Sequence, residues 1–267
     1  MESRSGTIPL KGHRNREGDT EKMNRNFKLV LQYDGTRYHG WERKKNLDTI
    51  QGKVEGVLNH LTEQPVNVIG AGRTDAGVHA QGMVANVHLE TDWTTDALRA
   101  YLNRYLPEDI GVETVREVSP RFHARYNAVG KTYRYTCYDG PAKPVFQRRY
   151  VYRLEQSPDL AGMRQGAAYL LGQHDFRSFC GNPKMKKSTL RTLDVLEIQR
   201  HGNFVTFTLH GDGFLQHMVR IVVGTLLEVG FGRMSPEQLG DILAAKDRSC
   251  AGPTAPAAGL TLVQVDY

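Results

Sequence analysis

The chain has 267 residues, of which 39% are hydrophobic, and a formal net charge of +6. It is long enough to bury a core in one large or two small domains, and its excess of Lys and Arg favours a polyanionic partner. Its apolar runs are too short to span a membrane, and its three widely spaced cysteines argue against a disulfide framework and fit a reducing cytoplasm.

The N-terminal segment, residues 1–25, has too few apolar residues to offset the entropy cost of ordering, so we predict a disordered extension there. The segment 26–119 has the element order β-α-β-β-α-β, as its hydrophobic periodicity indicates. Its predicted elements are a strand at 27–33, a helix capped by Asp48, strands at 66–69 and 83–89, a helix that ends before Pro107, and a strand at 110–118.

The segment 120–267 repeats that element order, and we place the boundary between the two domains near Ser119-Pro120. Its predicted elements are a strand at 131–138, a helix capped by Ser157, a hairpin of strands 192–198 and 204–209, helices from Phe214 and after Ser235, and a strand at 260–265. Two α/β domains of the split βαβ kind, ferredoxin-like or RRM-like, fit this order best. Such units often present an open sheet face to looped RNA.

The most informative segment is GAGRTDAGVHA at 70–80, which presents one carboxylate, Asp75, between Arg73 and His79. Its glycines free the backbone for positive φ and for close approach of another molecule, at an entropic cost that indicates a site. A dinucleotide-binding loop is excluded because a strand follows instead of a helix, and a phosphate-binding loop because no Gly-Lys-Ser/Thr ends the run. The alternative that stays open is a structural hairpin turn in which Asp75 caps backbone groups.

Cations and aromatic residues are interleaved throughout residues 121–138, a pattern in which cations hold phosphates while aromatic rings stack on bases. Within the predicted strand Lys131, Tyr133 and Tyr135 share one face, so the two tyrosines either face a base or fill the core. A second basic run, from Lys184 to Arg191, is predicted to be a loop that is either solvated or in contact with phosphates.

On the helix predicted from Phe214, His217 and Arg220 lie apart from the apolar stripe. Arg220 has no nearby acid in the sequence, so we expect its partner to come from elsewhere in the fold. His217 is expected to be a partly buried hydrogen-bonding residue. The remaining enzyme motifs are weak: His88-Leu89-Glu90 imitates the H-x-E of zinc deaminases, but no P-C-x-x-C follows it.

Six motifs occur in order along the chain: YDGT at 33–36 with YHGW at 38–41, GAGRTDAGVHA at 70–80, FHAR at 122–125, YRY at 133–135, FL at 214–215 with HMVR at 217–220, and GL at 259–260. Together they resemble the tRNA pseudouridine synthases of the TruA type, from Phe27 to Tyr267. In such enzymes a tyrosine usually follows the FL pair, whereas this chain has Gln216 there.

The resemblance implies two α/β domains that share an extended mixed, largely antiparallel sheet, the pseudouridine synthase fold. It implies a cytoplasmic homodimer in which a tRNA reaches across both subunits. The implied activity is isomerisation of uridine to pseudouridine at positions 38, 39 and 40 of the anticodon stem-loop, with no metal and no organic cofactor.

The chemistry of the residues agrees with this expectation, because exchanging a C–N glycosidic bond for a C–C bond needs an anionic nucleophile and a pocket for a turned-out base. We expect Asp75 to attack either carbon 6 of uracil or carbon 1′ of the ribose. Arg220 is expected to pair with Asp75, Tyr133 to stack on or border the uracil, Arg73 to help hold the displaced strand, and Arg125 to bind a phosphate. The alternative function is a non-catalytic RNA-binding protein with RRM-like domains. A carboxylate hydrolase is disfavoured because the loop contains no second acid.

Overall fold

The computed structural model describes residues 24–182 and 184–267, so residues 1–23 of the predicted extension lie outside the described residues. The elements of the first half are β1 (Asn24–Tyr33), α1 (Ile50–Thr62), β2 (Ile69–Gly70), β3 (His79–Glu90), α2 (Thr95–Tyr105) and β4 (Ile110–Val118). Strand β1 begins earlier than predicted, because Asn24 and Arg25 pair with Glu90 and Leu89 of β3. The helix α1 is capped by Thr49 rather than Asp48, since the Thr49 hydroxyl accepts a hydrogen bond from the backbone of the first turn.

The second half contains the predicted elements together with two short strands that were not predicted. Its elements are β5 (Gly130–Tyr138), β6 (Tyr152–Arg153), α3 (Leu160–Ala168), β7 (Gly172–Asp175), β8 (Leu190–His201), β9 (Phe204–Gly211), α4 (Met218–Gly230), α5 (Gln238–Ala245) and β10 (Leu260–Asp266). The helix α3 is capped by Asp159, not Ser157, because the Asp159 carboxylate accepts from the backbone N–H groups of Ala161 and Gly162. The Ser157 hydroxyl instead accepts from Arg200 at 2.9 Å.

The helix predicted from Phe214 begins at Met218, and the preceding residues form a loop. The Phe214 ring packs edge-on against Tyr133, with centroids 5.1 Å apart. The carbonyl of Gln216 accepts a hydrogen bond of 2.8 Å from the backbone of Gly181. His217 adopts a left-handed conformation, with φ +60°, at the point where the loop turns into the helix. Arg220 therefore lies in the first turn of α4.

All ten strands form one mixed sheet, and most neighbouring pairs are antiparallel, as expected. The order along its main path is β4-β1-β3-β10-β5-β9-β8-β7, with β2 paired to β3 and β6 paired to β5. Strand β10 is antiparallel to β5 and parallel to β3, so the last strand of the chain joins the two halves. None of the helices in the described ranges has the length and apolar character needed to cross a membrane.

Alternate residues of the strands point into one hydrophobic core, for example Phe27, Leu29 and Leu31 of β1, all fully buried. The helix α4 is buried on nearly all sides, unlike the amphipathic helices of the first half. Burial of each large apolar side chain contributes roughly 1.5–3 kcal/mol, so α4 is firmly held. Its N-terminal turn is thus a rigid platform for Arg220.

Candidate active site

The loop that carries Asp75 connects β2 to β3 and is held by the segment that follows β1. The backbone N–H of Trp41 donates to the Thr74 carbonyl at 3.1 Å, and that of Gly77 donates to the Tyr38 carbonyl at 3.2 Å. The Tyr33 and Thr74 hydroxyls are hydrogen-bonded at 2.9 Å in a buried setting. The motif at 33–41 and the GAGRTDAGVHA segment therefore fold together, and their contacts fix the backbone at Asp75.

Gly40 shows how closely the two segments approach. Its φ is +92°, and a Cβ at this position would lie 2.5 Å from the Thr74 carbonyl oxygen. Only glycine satisfies both the backbone conformation and the contact distance. The sequence YHGW is therefore part of the framework of the loop.

Arg220 reaches Asp75 from the second half of the molecule. Its Nη1 donates to Asp75 Oδ2 at 3.1 Å, and its Nε donates to the Ala255 carbonyl at 2.7 Å. The Arg220 side chain is 16% exposed and the Asp75 side chain 27%, so the pair is sheltered but open to a ligand. The carboxylate thus engages a side chain from the other half of the molecule, an arrangement that suits a presented acid better than a turn cap.

His217 is a second neighbour of the carboxylate. Its Nε2 lies 3.5 Å from Asp75 Oδ1, whereas Arg220 contacts the other carboxylate oxygen, Oδ2. Its ring lies against Gly181, where a Cβ would overlap the imidazole. The sequence predicts a partly buried hydrogen-bonding histidine here but gives no sign that it lies near Asp75. The direction of the His217 side chain was inferred from the periodicity of a helix. His217 has a left-handed backbone conformation instead, so this periodicity does not apply to it.

Tyr133 and Tyr135 share one face of β5 but have different surroundings. Tyr133 is 8% exposed. Burial and the nearby negative charge of Asp75 raise the pKa of its phenol, so it stays protonated. Tyr135 is fully buried and donates to the Pro256 carbonyl at 2.8 Å. Tyr133 therefore borders the site, whereas Tyr135 belongs to the core.

Arg73 and Arg125 lie at the surface. Arg73 forms an ion pair of 2.5 Å with Glu42, and both side chains are about half exposed. Arg125 is exposed, and its backbone N–H donates to the His123 ring at 3.2 Å. An exposed ion pair contributes only about 0–1 kcal/mol, so Glu42 holds Arg73 only weakly.

His79 is the penultimate residue of the GAGRTDAGVHA segment and contacts Asp34 rather than Asp75. Its Nδ1 accepts a hydrogen bond from the Gly35 backbone at 3.1 Å and lies 3.2 Å from Asp34 Oδ1. Burial lowers the pKa of His79 and outweighs the effect of Asp34. It lines a polar cleft of about 800 Å³ that Asp34, Arg134 and Tyr150 also border and from which Asp75 is absent. His79 therefore fastens the end of the loop.

Comparison with known proteins agrees with the motifs. A family model described as tRNA pseudouridine synthase matches residues 29–127 and 167–267. The tRNA pseudouridine synthase A of Acetivibrio thermocellus is 43% identical over 243 residues, which cover 91% of this chain and 100% of the relative. The protein of the same name from Bacillus sp. KSM-64 is 46% identical, with 91% and 99% covered.

Among solved structures, the crystal structure of the archaeal box H/ACA sRNP Nop10-Cbf5 complex has a chain that aligns at 13% identity and a TM-score of 0.37. The alignment covers 85% of this chain and 60% of that chain, and the likeness is too slight to inform the fold. The family match and the relatives rest on most of the sequence, including the segments that supply Asp75 and Arg220. The chain therefore belongs to the tRNA pseudouridine synthase family, isomerases that act on uridine in tRNA.

Proposed function

We propose that this enzyme converts uridine to pseudouridine at positions 38, 39 and 40 of the anticodon stem-loop, with Asp75 as the nucleophile. The observation that carries the proposal is the setting of the Asp75 carboxylate, which faces Arg220 and His217 beside the buried ring of Tyr133. A guanidinium within hydrogen-bonding distance stabilises a carboxylate anion, the form that a nucleophile needs.

The reaction balances without a co-reactant. The bond between ribose carbon 1′ and uracil N1 breaks, the base turns, and a bond from carbon 1′ to uracil carbon 5 forms. Carbon 5 then loses its proton and N1 gains one. Asp75 attacks either carbon 1′ or uracil carbon 6 and is released when the new glycosidic bond is complete.

The other predicted residues have complementary roles in this proposal. Tyr133 borders the turned-out uracil, and its protonated phenol presents an uncharged surface to the base. Arg73 exchanges Glu42 for the strand from which the uridine is displaced, and Arg125 binds a phosphate of the RNA backbone. Arg220 holds the nucleophile through the bond that its Nη1 donates.

We further propose that the enzyme acts as a homodimer in the cytoplasm. Exposed apolar side chains in the segment after β5 support a second copy, with Phe146 90% and Val145 57% exposed. All three cysteines are free thiols, as suits a reducing compartment. We propose the units 26–119 and 120–267 as the two domains, and the sheet order supports this division, since β1 to β4 lie on one side of β10 and β5, β9, β8 and β7 on the other.

The proposal is tested by incubating the purified chain with an unmodified tRNA transcript and mapping pseudouridine by carbodiimide-stopped primer extension. We expect new stops at positions 38, 39 and 40 that vanish in Asp75→Asn. The matched control is Asp194→Asn, which neutralises a half-exposed carboxylate paired with His210 on the second half of the sheet. The control should retain activity.

Three results would contradict the proposal. Stops that persist in Asp75→Asn would show that Asp75 is not the nucleophile. Tight tRNA binding without any stops would favour the non-catalytic RNA-binding alternative, and stops at other uridines would move the substrate site elsewhere in tRNA.

A further inference from the structure

Two cations not included among the predicted site residues lie on the same face of the sheet as Tyr133. Lys131 is two residues before Tyr133 on β5, so the two side chains share a face. Lys131 pairs with Gly211 of β9, which in turn pairs with Leu193 of β8. Arg191 is two residues before Leu193 and therefore projects from that same face.

These cations flank the two loops that form the site. Lys131 Nζ lies 3.5 Å from the position that a Cβ of Gly72 would take, three residues before the nucleophile. Arg191 Nε lies 3.5 Å from the corresponding position of Gly213, which precedes Phe214. Since Phe214 packs on Tyr133, both cations lie near the same aromatic pair.

Lys131, Arg125 and Arg191 form a cluster of positive charges. Burial and the positive charges of Arg125 and Arg191 lower the pKa of Lys131. In the ranges 24–182 and 184–267, no carboxylate forms an ion pair with any of the three residues. Gathering cations around a partly buried lysine destabilises the free protein, so the arrangement indicates an anionic ligand.

We propose that Lys131 and Arg191, together with Arg125, bind the phosphate group adjacent to the uridine whose base enters the Asp75–Tyr133 site. This inference rests on the proposed function. A phosphodiester carries one charge and several acceptor oxygens, which match an ammonium and two guanidinium groups from three different segments. Because Lys131 lies beside Gly72, in the loop that carries Asp75, the bound phosphate belongs to the reacting nucleotide rather than to the distant arms of the tRNA.

The first test compares Lys131→Met and Arg191→Met with the control Arg116→Met, which removes an exposed cation on the remote strand β4. We expect kcat/KM for pseudouridine formation to fall by about 10- to 100-fold in each site variant and to stay unchanged in the control. The slope of log binding constant against log salt should decrease by about 0.7–0.9 per lost contact. The melting temperature should stay constant or rise, because a repulsive charge has been removed.

The second test locates the phosphate. Substrates with a neutral methylphosphonate linkage on the 5′ or the 3′ side of the target uridine are given to wild-type enzyme and to Lys131→Met. If the phosphate is the ligand, the neutral linkage on one side lowers wild-type activity but adds little to the loss in Lys131→Met.

The inference would be overturned if each neutral linkage lowered the activity of Lys131→Met by the same factor as that of the wild-type enzyme. A lowered melting temperature with unchanged activity would also overturn it. An inactive wild-type enzyme on unmodified tRNA would instead refute the proposed function. The two failures are therefore distinguishable.

Discussion

Replacing Arg220 by methionine removes the guanidinium from the Asp75 carboxylate, the proposed nucleophile, while retaining the bulk and flexibility of the side chain. In the wild type, Arg220 Nη1 lies 3.1 Å from Asp75 Oδ2 and its Nε is anchored to the Ala255 carbonyl. In the described part of the chain, the variant leaves His217, 3.5 Å away, as the remaining basic side chain within ion-pair distance of the carboxylate. We expect Asp75 to lose both its orientation and the charge that stabilises its anion.

The expected magnitude follows from this geometry. At 3.1 Å and an effective dielectric constant near 20, the attraction between the two charges is about 5 kcal/mol before desolvation. Desolvation and the partial exposure of Asp75 offset much of it, so the net loss is that of a charged hydrogen bond, about 1.5–3 kcal/mol. This corresponds to a fall in kcat/KM of about 10- to 150-fold.

The assay is single-turnover pseudouridine formation in a tRNA transcript, together with tRNA binding and the melting temperature of each variant. Arg220→Lys should be intermediate, because an ammonium restores the charge but cannot serve Asp75 and the Ala255 carbonyl with a planar fork. Activity within threefold of the wild type in Arg220→Met, with folding intact, would refute the assigned role. A loss accompanied by a large drop in melting temperature would point to a structural role for Arg220 at Ala255.

Three further predictions concern the framework of the site. Gly40→Ala should lower the free energy of unfolding by about 2 kcal/mol or more and depress activity, because its Cβ would collide with the Thr74 carbonyl at an unfavourable φ; urea denaturation measures the change, and an unaltered midpoint contradicts it. Tyr33→Phe should lower the free energy of unfolding by about 1 kcal/mol, because it removes the buried hydrogen bond to Thr74. Phe27→Leu is the control that leaves the loop intact, and equal effects on kcat in both variants would show that this bond does not position Asp75. His79 has a pKa held by burial below its ordinary value of 6.5, so the unfolded chain binds the proton more readily; stability is full above about pH 6.5 and decreases as the pH falls towards the folded-state pKa, and His79→Asn should flatten this part of the pH profile of urea stability.

The fold was largely predictable because hydrophobic periodicity and turn residues agreed with tertiary structure. The hairpin at Gly202-Asn203 and the strand Ile110–Val118 appear where the sequence predicts them. The strand predicted at 66–69 is reduced to Ile69–Gly70. The reason is that the N–H groups of Val66 and Val68 donate to side chains of α1 instead of to a neighbouring strand. Hydrogen bonds of this kind do not change the hydrophobic periodicity of the sequence, so the periodicity could not predict them.

The site was less predictable than the fold. Glycine density and charge pattern singled out Asp75, and the absence of a local acid indicated a distant partner for Arg220. The proximity of His217 depends on one left-handed residue and on the missing side chain of Gly181, neither of which alters the spacing of apolar residues. The convergence of Lys131 and Arg191 depends on the register of three strands, which only the folded sheet defines.

The place of β10 in the sheet has a consequence for the order of assembly. This strand comes last in the chain but occupies the slot between β3 and β5, and so closes the gap between Asp75 and Tyr133. Asp75 and Arg220 are 145 positions apart, so neither half of a growing polypeptide carries the pair by itself. Contacts of such sequence separation form slowly, and we expect activity to appear in a single late step, after synthesis of β10.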